Sequence, residues 1–86
     1  MEKEFIIDSE NGLHARPATL IVSAASKFEC DITLTYNDVT VDLKSIMNVL
    51  SLALKKGSLI TINTHGIDEV EALQKISENI VKLNLR

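Results

Sequence analysis

Cys30-Asp31-Ile32-Thr33-Leu34-Thr35-Tyr36-Asn37-Asp38-Val39-Thr40-Val41-Asp42-Leu43 decides the architecture of this chain. Ile32, Leu34 and Tyr36 alternate with Asp31, Thr33 and Thr35, a period of two that predicts a strand from Cys30 to Tyr36 with one buried face. Asn37-Asp38 is a hairpin turn signal, weaker than Asn-Gly. Val39, Val41 and Leu43 then alternate with Thr40 and Asp42 as the partner strand. A polar outer face on both strands calls for an antiparallel sheet covered on one side only.

Working outward, the period changes to that of a helix on either side. Upstream, Ala18, Ile21, Val22, Ala25 and Phe28 recur at helical spacing and predict a helix from about Ala15 to Lys27. Small residues at Ala18 and Ala25 would let it lie close to a sheet. Before it stands a loop, Ser9 to Gly12, and before that a strand over Lys3 to Asp8, with Phe5 and Ile7 on one face. Downstream of the hairpin, Ser45 precedes a second helical run, Ile46 to Lys55. Lys55 and Lys56 suit its negative end, and Gly57 its C′ position. Leu59 to Thr64 reads as a fourth strand, with Ile60, Ile62 and Thr64 on one side, and His65-Gly66 as a turn. Asp68 with Glu71 forms a capping-box-like start for a third helix, whose stripe is Leu73, Ile76, Ile80 and Leu83. The expected fold is α+β, in the order β-α-β-β-α-β-α.

With 86 residues the chain makes one domain, residues 1–86. An apolar fraction of 45% is enough for a folded core, built from aliphatic residues because aromatics make up only 3%. The net charge of −3 argues against non-specific nucleic-acid binding, which needs a basic face. No apolar run approaches the roughly 20 residues of a membrane span, so no membrane insertion is expected. Met-Glu-Lys-Glu lacks signal-peptide character, and the single Cys30 has no partner for an internal disulfide; it reads as a small buried apolar residue. A cytoplasmic protein is the expectation.

Chemistry concentrates in Asn11-Gly12-Leu13-His14-Ala15-Arg16-Pro17-Ala18-Thr19. Pro17 fits the first turn of a helix, where an N–H has no intrahelical partner, and His14 then falls at the N-cap. Ser, Thr, Asp and Asn are the usual caps, so a histidine there is unusual. Imidazole is largely neutral and nucleophilic near pH 7. A helix start offers free N–H donors and the positive end of the dipole. Arg16 adds a planar fork for phosphoryl oxygens. Together they suit a phosphoryl group held on His14, with Ala15 and Pro17 supporting the helix start.

Ser45 reads as an N-cap and also as a phosphorylation site, since a phosphate at a helix start is favoured by the dipole. Both His14 and Ser45 begin helices that pack on one face of a small sheet, which predicts that they lie near each other. The helix after Ser45 carries more apolar residues than one stripe needs. Ile46, Met47 and Leu50 share a face and are expected to meet partners. His65 has no partner at metal-ligand spacing and reads as a solvated turn residue. No metal or cofactor is implied.

Gly12-Leu13-His14-Ala15-Arg16-Pro17-Ala18 and Leu43-Lys44-Ser45-Ile46-Met47 resemble HPr, the histidine-containing phosphocarrier family of the bacterial sugar phosphotransferase system. The resemblance extends over essentially the whole chain. It implies an open-faced β-sandwich, a four-stranded antiparallel sheet covered on one face by three helices. It further implies that His14 is phosphorylated at Nδ1 by enzyme I and passes the group to the enzyme IIA unit of a sugar permease, with Arg16 as the active-site arginine. Ser45 corresponds to the regulatory serine, a target of HPr kinase/phosphorylase whose phosphorylated form acts with the catabolite control protein in carbon catabolite repression. A monomeric carrier without catalytic turnover of its own is implied. Asn48 stands where glycine is common, and Leu50 where a second methionine is common. The regulatory paralogue Crh has glutamine at the active-site position, which His14 excludes here. Alternatives are a carrier of a nitrogen-related phosphotransferase branch, a small acyl-phosphate hydrolase on a similar sandwich, with Asn11 as the one candidate to position water, and a plain interaction module.

Overall fold

Strand pairing fixes the layout. In the computed structural model, which describes residues 1–85, the elements are β1 (Glu2–Ile6), α1 (Ala15–Ala25), β2 (Asp31–Tyr36), β3 (Val39–Asp42), α2 (Ile46–Ser51), β4 (Leu59–His65) and α3 (Glu69–Asn84). The four strands form one antiparallel sheet in the order β1-β4-β2-β3. β1 and β2 are therefore parallel with β4 between them, and β3 and β4 are parallel with β2 between them. Each parallel pair is joined by a helix, so two β-α-β units interleave. A right-handed crossover puts α1 on one face. The second unit runs in the opposite direction and crosses the sheet the opposite way, so the same rule puts α2 on that same face. One face of the sheet is thus covered and the other left open.

The covered face holds the core. Ile32 and Leu34 of β2, and Ile60 and Ile62 of β4, are almost completely buried against Ile21, Ile76 and Ile80 of the helices. The alternate residues Thr33, Thr35, Thr61 and Asn63 lie on the open face. Thr64 is the polar member of the inner row; it is fully buried, and its hydroxyl donates to the Glu69 carbonyl at 3.0 Å. The hairpin between β2 and β3 turns on Asn37 and Asp38, with φ +49° and +66°. Two consecutive left-handed residues make the turn that matches the twist of the strands.

Several boundaries differ from the sequence expectations. β1 ends at Ile6, and Ile7 and Asp8 leave the sheet; Ile7 stays fully buried and exchanges hydrogen bonds with Ser58 and Gly57. α1 stops at Ala25 and not at Lys27, and Phe28 is only half-buried. α2 is six residues long and ends at Ser51, well short of Lys55. Its exit residue is Ala53, at φ +50°, so an alanine takes the left-handed position expected of Gly57. That conformation costs an L-residue about 1–2 kcal/mol. Gly57 belongs to the turn into β4, where Ser58 N–H bonds the Lys55 carbonyl. His65 closes β4 opposite Asp31, exposed.

Asp68 does not cap α3 with its side chain. Its carboxylate accepts from the Glu29 and Cys30 amides, both at 2.9 Å, and so ties the entry of β2. These bonds, the Glu29 one foremost, hold its pKa below the usual value. Glu69, not Glu71, reaches back, accepting from Gly66 N–H at 3.2 Å. Cys30 is 3% exposed, and burial, followed by the neighbouring Asp68, pushes its thiol pKa to about 11. No described helix is long and apolar enough to cross a membrane.

Candidate functional site

α1 starts as the Pro17 rule requires. His14 is the N-cap, with extended backbone at φ −83° and ψ −175°, and its carbonyl accepts the first intrahelical bond from Ala18 N–H at 3.0 Å. No side chain caps this end. Pro17 has no N–H, which leaves the amides of Ala15 and Arg16 as the donors of the first turn. Thr19 bonds back to the Ala15 carbonyl at 2.8 Å, bracing the turn without occupying those donors.

His14 and Arg16 line one depression of about 380 Å³, together with Ser9, Glu10, Asn11, Pro17, Leu20 and Leu83. Both side chains are exposed, and Arg16 makes no ion pair among the described residues. The guanidinium is therefore free to meet an anion. Among the described residues Glu10 is the one carboxylate lining the depression, and Lys56 neutralises it through an ion pair at 3.0 Å. That hydrogen bond raises the Lys56 pKa.

Leu20 and Leu83 supply an apolar wall that the sequence reading did not include. Leu20 is 59% exposed on α1, off the buried stripe, and that mismatch was its signal. Leu83 comes from the end of α3. Asn84, its neighbour, donates to the Ile6 carbonyl at 2.8 Å and accepts from Asp8 N–H at 2.9 Å, holding the exit of β1. Nothing local in the sequence marks that contact.

Ser45 is the N-cap of α2, and its hydroxyl accepts from Asn48 N–H at 3.3 Å. It does not line the His14 depression. Lys44 Nζ donates to the Phe28 carbonyl just past the end of α1, at 2.7 Å, while Leu13 N–H donates to Leu54 just past the end of α2, at 3.0 Å. α1 and α2 thus run antiparallel, and the starts that the sequence placed side by side lie at opposite ends of the pair. On α2, Val49 is buried, Ile46 and Leu50 are half-buried against the core, and Met47 is 74% exposed. Of the apolar trio, Met47 alone projects fully.

Residues 1–82 match the family model described as the PTS HPr component phosphorylation site. Among solved structures, the chain is similar to a histidine-containing phosphocarrier protein from Mycoplasma, with 41% identity, a TM-score of 0.94, and 99% of this chain and 97% of that one covered. It is also similar to the phosphocarrier protein HPr from Bacillus anthracis str. Ames, with 43% identity, a TM-score of 0.86, and coverage of 92% and 94%. Crh from Bacillus subtilis, solved as a swapped-domain dimer, shares 39% identity at a TM-score of 0.76, over 90% of this chain and 88% of its own.

Proposed function

The chain belongs to the HPr family of phosphotransferase-system phosphocarriers, and on that premise we propose that it carries a phosphoryl group on His14. The observation that carries the reading is the open start of α1: an imidazole at an uncapped N-cap, two amides beside it, and in the same depression a guanidinium with no ion pair among the described residues. A neutral imidazole nitrogen attacks phosphorus as the bond to the donor breaks. The new phosphoryl oxygens meet the Ala15 and Arg16 amides and the Arg16 side chain. These donors stabilise the anion, and the exposed position leaves it open to the next acceptor.

The donor in this reading is phosphorylated enzyme I, and the acceptor the enzyme IIA unit of a sugar permease, both in the cytoplasm. Met47, with the half-buried edges of Ile46 and Leu50, is the apolar part of the surface they meet. The family is one of carriers and not enzymes, which sets aside the hydrolase reading. Ser45 is assigned a regulatory role: phosphate there adds about −1.5 to −2 charges at pH 7 without unfolding α2, and HPr kinase/phosphorylase and the catabolite control protein are its proposed partners.

The test is incubation with phosphoenolpyruvate, Mg²⁺ and enzyme I, followed by enzyme IIA. Acid-labile phosphate should appear on the chain and then leave it; a chain that takes none overturns the reading. Two relatives, an HPr from Thermoanaerobacter tengcongensis and Crh, were solved as dimers. For this chain we propose a monomeric carrier, which a single-chain mass by light scattering during transfer supports and a dimer mass refutes.

A further inference from the structure

The tightest contact near the site lies behind it. Gly12, at φ +64°, passes so close to the α2–β4 loop that a Cβ there would sit 2.3 Å from the Leu54 carbonyl oxygen and 2.8 Å from Lys55 Cα. One residue on, Leu13 N–H donates to that same carbonyl at 3.0 Å. The side chains of Leu13 and Leu54 are both 4% exposed. The backbone entering His14 is therefore held by Leu54, and the backbone leaving it by the bond from Ala18.

The chain path that brings the Leu54 carbonyl to Leu13 turns at the residue before it. Ala53 is exposed and left-handed, the one non-glycine residue at positive φ outside the Asn37-Asp38 turn among the described residues. An ordinary backbone at Ala53 would continue α2 or extend the chain, and either would swing the carbonyl away from Leu13. A conformation this unfavourable for alanine persists only where its surroundings hold it, and the adjoining contact is the Leu54–Leu13 bond at the approach to His14.

We propose that Ala53 and the Leu54 carbonyl position His14 for phosphoryl transfer, by locking Leu13 and with it the first turn of α1. Neither touches the phosphoryl group; both act through Leu13. The proposal deepens the reading of His14 as acceptor and rests on it.

The test compares Ala53→Val, Ala53→Gly and the natural chain. A β-branched residue resists positive φ more than alanine does, and glycine resists it least. Amide exchange at Leu13 reports the lock without any partner. The kcat and KM for phosphorylation by enzyme I report the chemistry. In Ala53→Val, exchange at Leu13 should rise at least tenfold and kcat should fall at least threefold, with KM within twofold because Met47 and its neighbours are unchanged. In Ala53→Gly, exchange should slow about fivefold, with kcat at the natural value or above. If Ala53→Val frees Leu13 and kcat does not move, the lock does not position His14 and the proposal is overturned. If Ala53→Val does not fold, Ala53→Gly decides: faster exchange at Leu13 or a lower kcat than the natural chain overturns it. Failure of the natural chain to accept phosphoryl from enzyme I would instead remove the His14 reading, and that result precedes any variant.

Discussion

The starts of α1 and α2 solve the same problem in opposite ways. At α2, Ser45 does what a serine does: its hydroxyl takes the Asn48 amide, and the end is closed. At α1, His14 stands in the cap position and caps nothing, so the Ala15 and Arg16 amides stay available beside an unpaired guanidinium. An unsatisfied helix end costs stability. Exposure to water limits that cost at α1, and the same exposure admits a phosphoryl group. In the proposed reading, one start holds the fold and the other holds a ligand.

Replacing each residue should therefore separate the two kinds of start. The largest effect is expected for His14→Ala. It removes the acceptor and should abolish phosphorylation by enzyme I, while a denaturant melt stays within about 0.5 kcal/mol of the natural chain, because no capping bond is lost. Loss of more than about 1 kcal/mol would mean that His14 is a cap after all. Arg16→Ala comes next. Transfer to and from His14 should slow about tenfold or more, the scale of one charge-assisted hydrogen-bond pair worth about 1.5–3 kcal/mol, with stability again within about 0.5 kcal/mol. Unchanged kinetics would leave Arg16 an ordinary surface residue.

At the other start the expectation inverts. Ser45→Ala should cost about 1 kcal/mol of stability, seen in the same melt, and leave His14 phosphorylation nearly intact. Ser45→Asp is the smallest effect and the sharpest for the geometry. The serine does not line the His14 depression, so its charge is expected to act on partner docking. Against a partner charge about 10 Å away in water a unit charge is worth only about 0.4 kcal/mol, so phosphorylation by enzyme I should fall about twofold. The loss should shrink in high salt as screening sets in. A loss that ignores salt would point to a change in α2 and not to charge.

The sequence makes both starts legible and misjudges where the second helix ends. His14 before Ala15, Arg16 and Pro17 carried its own structural signal, because proline in a first turn has one physical reading. The β2–β3 hairpin was equally plain from its alternation and from Asn37-Asp38. The end of α2 was not, because alanine and leucine favour a helix and nothing after Ser51 announces a stop. The chain leaves the helix at Ala53, at positive φ, and Leu54 then bonds Leu13, a contact between distant parts of the chain. The same distance hid the true role of Asp68, whose carboxylate serves Glu29 and Cys30 across the fold and not its own helix. Ser45 and His14 both begin helices on one face, which by itself suggests that they are neighbours. The interleaved crossover makes those helices antiparallel, which strand order reveals and periodicity does not.

The central claim is that the open end of α1 cradles the phosphoryl group, and backbone amide NMR of the phosphorylated chain tests it most directly. With enzyme I and phosphoenolpyruvate, one phosphate per chain should appear on the His14 ring. The Ala15 and Arg16 amide protons should move downfield and exchange more slowly, while the Asn48 amide at the capped start stays put. Phosphate on His14 with the Ala15 and Arg16 amides unmoved, or phosphate on another residue, would contradict the account.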